Sequence, residues 1–288
     1  LRGCEAHVSR SATCDVCWRH CVVPEGSTGF CRARTCQDGD MVPGNYGRLT
    51  SVAIDPVEKK PLAEWHPGAH VLSVGSYGCN MRCPFCQNFE ISQEGENGVP
   101  WREVLPQELV DLALECAERD PGVIGIAHTY NEPLVGWEYV HDCSVLAHKA
   151  GLANVLVSNG CASAHVIDAL APLVDAANID LKCFSAEGYR ELGGSFEDVR
   201  RTIEALGTSG TCHLEVTTLV VPGVSDSEAV MRQEAAWLAS VNEKIVLHVT
   251  RFFPRWHMAN AQPTPVATVM RMADVAREYL SRVHVGNC

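Results

Sequence analysis

The feature that most limits the fold is an alternation of short apolar runs with longer amphipathic segments, which begins near residue 70. Such alternation is typical of parallel strands joined by helices. The predicted strands are 71–77, 123–129, 154–159, 177–182, 213–221 and 245–251. The predicted helices are 104–119, 134–150, 164–174, 196–206, 227–241 and 266–282. Because a closed eightfold barrel takes about 250 residues, these six units predict an α/β fold of the partial (βα)6 TIM-type barrel class.

The chain divides into three regions by composition. Residues 1–40 are rich in Cys, Gly, Thr and Arg without periodicity, which predicts a Cys-rich metal-binding N-terminal segment. Residues 41–69 form a connector, and residues 70–288 carry the barrel. Within the connector, residues 55–61 read Asp-Pro-Val-Glu-Lys-Lys-Pro, a pattern that favours a solvated charged turn between two prolines.

Charge and hydropathy exclude several classes of protein. The formal net charge is -12, from 23 Lys and Arg against 35 Asp and Glu, and no basic block suits a nucleic-acid backbone. The sequence has no run of 18 apolar residues, and residues 1–36 lack the apolar region of a signal peptide. We therefore expect a cytoplasmic protein that neither enters a membrane nor is exported.

Fifteen cysteines in a long chain without an export signal indicate metal ligation rather than disulfides. Nine of them fall before residue 87. Five scattered cysteines are expected to be small buried hydrophobic residues: Cys116, Cys143, Cys161, Cys183 and Cys212. Cys288 stands at the end of the sequence.

A loop with Cys79, Cys83 and Cys86 directly follows the first predicted strand, where a barrel carries its functional loops. Iron–sulfur clusters are usually held by four thiolates. Three closely spaced cysteines would leave one iron open to an exogenous ligand, so we predict that they are metal ligands and catalytic. The alternative is a zinc site with a distant fourth ligand, for which the candidates are His66, His70 and Cys31.

Polar residues lie at or near the ends of the later strands, where ligands of such barrels bind. The predicted ligand-binding residues are Asn131, Glu132, Ser158, Asn159, Asp180, Lys182, Glu215, Thr217 and His248. Each has a structural alternative. Glu132 precedes Pro133 at a helix start, residues 158–160 suit a plain turn, Asp180 can pair with Lys182, and a lone strand histidine is usually a core residue.

Four N-terminal cysteines lie within 18 residues: Cys14, Cys17, Cys21 and Cys31. They are enough for a second metal centre, either tetrahedral zinc or an auxiliary [4Fe–4S] cluster. The long interval between Cys21 and Cys31 favours zinc over a ferredoxin-type run, and Cys4 and Cys36 are spare candidates.

The spacing Cys79-x3-Cys83-x2-Cys86 after the first strand resembles the signature of the radical S-adenosylmethionine (SAM) superfamily. The resemblance implies that the open iron of a [4Fe–4S] cluster binds SAM. One electron then cleaves SAM to methionine and a 5′-deoxyadenosyl radical, which abstracts hydrogen from the substrate. It also implies roles for site residues: Asn131 and Glu132 at the SAM amino group, Ser158 and Asn159 at the ribose, and Lys182 at the carboxylate.

Within the superfamily, the sequence resembles the radical SAM component of the AmmeMemoRadiSam system, which is similar to pyruvate formate-lyase activating enzyme. The resemblance rests on residues 14–21, 55–62, 83–88, 129–133 and 285–287. It implies an unidentified small-molecule or protein substrate, a reductant such as flavodoxin or ferredoxin, and Memo-type partner proteins. It also makes the charged connector a candidate substrate or partner contact.

Three departures from these relatives stand out. Phe252-Phe253-Pro254 replaces a Phe-His-Pro element, Val157 replaces an Asp that glycyl-radical activators associate with a monovalent cation, and a Cys-containing tail would begin near Cys288. The leading hypothesis is hydrogen abstraction from a small molecule. Its alternatives are an activase that installs a glycyl radical on a partner enzyme, and a zinc-stabilised interaction protein without enzymatic activity.

Overall fold

The computed structural model of the chain describes residues 10–288, so the spare candidate Cys4 lies outside the described residues. The strands are β1 (Ser11–Thr13), β2 (Val22–Pro24), β3 (Arg34–Gln37), β4 (Asp40–Pro43), β5 (Arg48–Leu49), β6 (Ser51–Pro56), β7 (His70–Gly75), β8 (Arg102–Glu103), β9 (Val123–His128), β10 (Ala153–Ser158), β11 (Ala176–Asp180), β12 (His213–Val220), β13 (Val246–Arg251) and β14 (Val283–Gly286). The α-helices are α1 (Phe89–Ser92), α2 (Pro106–Arg119), α3 (Trp137–Lys149), α4 (Ala164–Leu170), α5 (Ala186–Glu191), α6 (Phe196–Thr208), α7 (Glu228–Val241) and α8 (Val266–Arg277).

An eight-stranded sheet organises the described chain, in the order β6-β7-β9-β10-β11-β12-β13-β14. The strands from β7 to β14 in this order run parallel, whereas β6 pairs antiparallel with β7. Helices connect successive parallel strands, so the fold is an α/β partial TIM-type barrel, as predicted. All six predicted strands and all six predicted helices are present, with bounds shifted by a few residues.

The prediction of six strands was too low, because two strands of the sheet belong to no strand-helix unit. β6 comes from the connector and is followed by a short 3-10 turn. β14 has four residues and is the last strand. The two short helices α1 and α5 were also missed, since helices of four and six residues give no helical periodicity.

Two apolar layers hold the helices against the outside of the sheet. On one side, Ile179 and Val249 of the strands pack with Ile203, Leu238 and Ala273 of α6, α7 and α8. A separate cluster joins the first strands to α2 and α3: Leu72, Ile126, Leu109, Val110 and Tyr139. Strand residues therefore alternate between the helix layer and the barrel interior, as the period of two requires.

The interior of the barrel is filled by residues 57–65 of the connector, which we call the plug segment. Its Val57, Leu62 and Trp65 are buried. They pack against inward-facing apolar residues of four strands: Val71, Ala127, Val155 and Ala176. The plug segment thus supplies the layer of side chains that a barrel of this size needs to exclude water.

The expected solvated turn at residues 55–61 was wrong, because Asp55 and Lys60 are only 5% and 3% exposed. Lys60 Nζ lies 2.8 Å from Asp55 Oδ2, and the hydroxyl of Tyr130 donates to the same oxygen at 2.6 Å. Burial of the two charges is tolerated since each has a close partner. Spacing in the sequence cannot distinguish such a pair from an exposed one.

The N-terminal region consists of small antiparallel pairs, β1 with β2 and β3 with β4. The loop between β1 and β2 carries Cys14, Cys17 and Cys21. No helix within residues 10–288 is long and apolar enough to cross a bilayer.

Candidate functional site

Cys79, Cys83 and Cys86 meet at one cavity of about 270 Å³, beside the carboxyl ends of the parallel strands. The loop leaves β7 through Gly78, whose φ of +90° is readily adopted only by glycine. Cys83 is buried, and the other two thiols are half-buried. The backbone amide of Cys86 donates to the carbonyl of Cys83 at 3.1 Å, so the loop turns tightly between these two ligands.

The surroundings of the thiols suit metal-bound thiolates. Burial raises the pKa of Cys83 to about 12 and that of Cys79 above its usual range. Donors aim at the sulfur of Cys79: the amide of Met81 at 3.4 Å and the side-chain amide of Asn159 at 3.6 Å. These donors, and the positive charge of Lys182 acting on Cys83, oppose the effect of burial and favour a thiolate over a thiol. The donor set of three thiols on an open cavity therefore fits a cluster with one free iron position.

Glu132 is the most deeply enclosed acid at the cavity, with 2% exposure. Its Oε1 accepts from Leu134 N at 3.0 Å and from Ser158 Oγ at 2.7 Å, and its Oε2 accepts from Asn159 N at 2.8 Å. Burial raises the pKa of Glu132 to about 7, although these three hydrogen bonds oppose the shift. A carboxylate has about four acceptor positions, so Oε2 retains capacity for one more donor.

Asn131 holds the loop that carries the cysteines. Its Oδ1 accepts from Ser76 N at 2.9 Å, and its Nδ2 donates to the carbonyls of Tyr77 and Gly78 at 3.1 and 3.2 Å. Its amide group is thus occupied by the backbone of the loop. The side chain lies at the cavity, but its contacts are those of a residue that positions the loop.

Asp180 and Lys182 also line the cavity, with Thr217 paired to Asp180 on the neighbouring strand. Lys182 Nζ is 2.8 Å from Asp180 Oδ2. Burial opposes the charge of Lys182, but Asp180 and the thiolate of Cys83 outweigh it and raise its pKa. Asp180 and Lys182 thus form the ion pair that was the alternative to ligand binding, and both residues also line the cavity.

Two residues of the predicted set, Glu215 and His248, do not line this cavity. Glu215 accepts hydrogen bonds from the amides of Ala63 and Glu64 in the plug segment at 3.0 and 2.9 Å. His213 and His248 lie 2.8 and 2.5 Å from its carboxylate oxygens. Burial opposes ionisation of Glu215, yet these four contacts lower its pKa to about 2. Glu215 and its two histidine partners therefore hold the plug segment in the barrel instead of lining the cavity.

Several residues that line the cavity were not among the predicted ligand-binding residues: Gln87, Asn88, Thr129, Tyr130, Leu219, Thr250 and Asn287. Thr250 follows His248 by two positions and therefore shares its face of β13, which was the available signal. Asn287, beyond β14, belongs to a stretch that carries the family resemblance, but no local pattern predicted that it would line the same cavity as the cysteine loop.

None of the three fourth ligands that the zinc alternative offered for the cluster loop lines this cavity. His66 and His70 do not line it, and His70 Nδ1 lies 3.0 Å from Asp120. Cys31 lies at a different cavity.

That second, smaller cavity is lined by all four predicted N-terminal ligands, Cys14, Cys17, Cys21 and Cys31. Burial raises the pKa of Cys17 to about 12, and the neighbouring Cys31 and Cys14 add to the shift. The spare candidate Cys36 does not line the cavity, and its sulfur lies 3.6 Å from Glu25.

None of the scattered cysteines lines either cavity, although Cys161 contacts Met81 and Asn80 at their edges. Cys143, Cys161 and Cys183 are buried, Cys116 and Cys212 are half-buried, and Cys288 is exposed.

Comparison with known proteins agrees with this geometry. Residues 73–234 match the model of the radical SAM superfamily. The chain is 36% identical over 277 residues to the uncharacterized protein MJ0808 of Methanocaldococcus jannaschii, covering 95% of this chain and 80% of that protein. It is 27% identical over 161 residues to a putative glycyl-radical enzyme activating enzyme of the same organism, covering 53% of this chain and 62% of that protein.

Solved structures share the fold. SuiB of Streptococcus suis bound to S-adenosylmethionine matches with a TM-score of 0.58 and 12% identity, covering 76% of this chain and 52% of SuiB. A radical SAM methyltransferase from Sphaerobacter thermophilus matches with a TM-score of 0.55 and 17% identity, covering 77% of this chain and 67% of the methyltransferase. The match over residues 73–234, which is more than half of the chain, assigns the chain to the radical SAM superfamily.

Proposed function

We propose that this enzyme uses SAM and a [4Fe–4S] cluster to abstract hydrogen from a small-molecule substrate. The observation that carries the proposal is the meeting of Cys79, Cys83 and Cys86 with Glu132 and Lys182 at one cavity. When bound, the cluster supplies the electron that cleaves SAM, as the superfamily implies. A flavodoxin or ferredoxin is the proposed class of reductant.

The protein groups at the cavity suit the two ends of the methionine part of SAM. The remaining acceptor position on Glu132 Oε2 suits an ammonium group. Lys182 keeps donors beyond the one directed at Asp180, and these suit a carboxylate. Ser158 and Asn159 donate hydrogen bonds to Glu132 and so hold its carboxylate in place. We propose that Thr217, which also lines the cavity, lies close to the substrate.

We propose that the remaining predicted residues act indirectly. Asn131 positions the cysteine loop, and Glu215 with His248 fixes the plug segment beneath the cavity. In the same region the hydroxyl of Tyr130 donates to Asp55 of the buried Asp55–Lys60 pair. Pro61 of the charged connector lines the cavity, so we propose that the connector contacts the substrate there.

We propose a small substrate because an aromatic contact closes the sequence neighbourhood of the cavity. Phe89, which follows the cavity residues Gln87 and Asn88, stacks on Trp256, which follows β13, with ring centroids 5.8 Å apart. The contact joins the segments after the first and sixth of the parallel strands, and we propose that it limits the approach of a peptide loop.

The test is anaerobic reconstitution with iron, reduction in the presence of SAM, and mass spectrometry of the products. We expect 5′-deoxyadenosine and methionine from the wild type and from the control Cys116→Ala. The triple variant Cys79→Ala/Cys83→Ala/Cys86→Ala should lower the rate by at least about 10³-fold, since it removes every protein ligand of the cluster. An iron-loaded wild type that forms no 5′-deoxyadenosine contradicts the proposal.

The second candidate is an activase for a glycyl-radical enzyme, which the similarity to the M. jannaschii activating enzyme supports. Val157 at the cavity offers no carboxylate for the cation associated with such activators. Incubation with candidate partners, Memo-type proteins among them, followed by EPR spectroscopy for a glycyl radical separates the two functions. A glycyl signal that needs both SAM and the three cysteines favours the activase.

We also propose a second metal centre at Cys14, Cys17, Cys21 and Cys31, because the four thiols share one cavity. Zinc and an iron–sulfur cluster both use such a ligand set.

A further inference from the structure

Asn159 follows β10 directly and lines the cavity, and it is only 6% exposed. Its backbone amide donates to Glu132 Oε2 at 2.8 Å, so the contact with Glu132 involves only the main chain of Asn159. The side-chain amide of Asn159 makes three further hydrogen bonds, and none of them goes to Glu132. The proposed contacts with the methionine part of SAM therefore leave this side chain without a role.

The side-chain amides of Asn159 and Asn80 have fixed orientations, because Cys161 offers each of them one partner. The backbone amide of Cys161 donates at 2.8 Å, and only the oxygen of Asn159 can accept there. The carbonyl of Cys161 accepts at 2.7 Å, and only the nitrogen of Asn80 can donate to it. Exchanging nitrogen and oxygen in either side chain would place two donors or two acceptors against each other.

With these orientations, the side-chain nitrogen of Asn159 faces two acceptors. Nδ2 donates to Asn80 Oδ1 at 2.9 Å and to Cys79 Sγ at 3.6 Å. An amide nitrogen of this kind carries two N–H bonds, so each acceptor receives one. Asn80 is 1% exposed and follows Cys79 in the chain. Its oxygen therefore holds the amide of Asn159 beside the sulfur of Cys79.

The sulfur of Cys79 thus has one donor from its own loop and one from another strand. The amide of Met81, at 3.4 Å, belongs to the cysteine loop, whereas Asn159 comes from the end of β10. Hydrogen bonds to the ligand sulfurs are among the factors that set the reduction potential of an iron–sulfur cluster. Because reduction adds negative charge that the thiolates share, a donor at the sulfur favours the reduced state.

We infer that the side chain of Asn159, oriented by Asn80, raises the reduction potential of the cluster at Cys79, Cys83 and Cys86. In this reduction a low-potential carrier loses one electron and the cluster gains it, with no proton transfer and no bond change. Asn159 acts through the sulfur of Cys79, so it is a positioning residue. This role requires the cluster and therefore rests on the proposed function.

Redox titration followed by EPR spectroscopy tests this role in Asn159→Ala. At a fixed solution potential, its ratio of reduced to oxidised cluster should fall about 3- to 10-fold, and a tenfold fall corresponds to about 59 mV for one electron. Asn80→Ala should cause a smaller fall, since the donor remains but loses the acceptor that orients it. The control Asn154→Ala removes another buried amide, on β10, which donates to Ser144 O and not to a sulfur. It should keep the wild-type ratio, and a wild-type ratio in Asn159→Ala overturns the inference.

The affinity for SAM separates this role from a contact between Asn159 and the ribose. Asn159→Ala keeps the backbone amide that donates to Glu132, so the Kd of SAM for the oxidised, cluster-loaded protein should change by less than about twofold. Equilibrium dialysis with radiolabelled SAM measures this Kd. A large loss of affinity together with an unchanged reduction potential would assign the side chain to SAM and overturn the inference.

A measurement on the wild type covers the case in which Asn159→Ala does not retain its iron. Protein labelled with 15N only in the side-chain amide of asparagine should show a 15N coupling to the reduced cluster in pulsed EPR, through the hydrogen bond to Cys79. Absence of this coupling overturns the inference. Failure of the proposed function is a separate result, since it appears as an iron-loaded wild type that forms no 5′-deoxyadenosine.

Discussion

Three buried glutamates show how surroundings decide the charge of one residue type. Glu215 has four close donors, and its pKa falls to about 2 in spite of burial. Glu132 has three hydrogen bonds, and burial raises its pKa to about 7. Glu234 on α7 accepts one hydrogen bond, from the hydroxyl of Thr218, and burial raises its pKa to about 8. The pKa therefore rises as the number of donors falls.

Glu234 makes stability depend on pH. Its native pKa lies above the ordinary value of 4.5, so its contribution to stability is complete below about pH 4.5 and is lost as the pH rises through about 8. Glu234→Gln stays neutral and should be more stable than the wild type at pH 9, by about 2–4 kcal/mol. Urea unfolding between pH 5 and 9 measures the difference.

The control for this prediction is Glu243→Gln, which changes an exposed glutamate just beyond the same helix. It should follow the wild-type profile. Parallel pH profiles of Glu234→Gln and the wild type would show that Glu234 is ionised in the folded state throughout the range.

At the level of elements, the junction between the cysteine loop and the N-terminal region depends on Gly78. Gly151 also has a positive φ, +77°, but no atom lies within 4 Å of a Cβ built there. Gly151→Ala should therefore destabilise by about 1–2 kcal/mol through backbone strain alone. Gly78→Ala should destabilise by about 1–3 kcal/mol more than Gly151→Ala, because the carbonyl of Cys31 must also move away from the new methyl group.

Thermal unfolding and iron retention during gel filtration measure this pair of variants. Gly78→Ala should also lose iron faster than Gly151→Ala, because the displaced carbonyl holds the amide of Cys79. Equal stabilities and equal iron retention would show that the loop accommodates the methyl group by a small local shift.

Elements with strong local patterns were predictable, and those defined by pairing were not. Buried parallel strands such as β12 carry apolar residues on the face toward the helices and polar residues such as Glu215 and Thr217 on the inward face, and their helices have clear periodicity. β6 lies in a charged connector, with burial at Asp55 and exposure at Ala53 and Ile54. Only its pairing with β7 makes it a strand of the sheet.

For the molecule as a whole, SAM should stabilise the folded, cluster-loaded protein. A ligand at 100 times its Kd adds about 2.7 kcal/mol to the free energy of unfolding. In a chain of this size the midpoint of thermal unfolding should rise by about 5–10 °C. Differential scanning calorimetry under anaerobic conditions measures the rise. The variant Cys79→Ala/Cys83→Ala/Cys86→Ala should show little or no rise, and an equal rise there would place SAM binding away from these cysteines.

The site was predictable as far as it depends on residues that are close in the sequence. The cysteine spacing and the polar residues near the ends of the strands led to a part of the cavity wall that includes all three cysteines, because parallel strands bring their carboxyl ends to one edge. Glu215 and His248 share inward faces with such residues, but they lie lower in the barrel and bind the plug segment. The alternation of side chains along a strand predicts which residues face the barrel interior, but it does not predict how deep in the barrel a ligand binds.

The sequence by itself determined the superfamily signature, the strand-helix order and the four-cysteine group, since each is a local pattern. The tertiary structure decided that the charged connector enters the barrel and that Cys31 touches Cys79. The physical reason is that these contacts join residues 48 to 152 positions apart, as between Cys31 and Cys79 or Ala63 and Glu215. Packing of the whole chain, not the preference of any segment, brings such residues together.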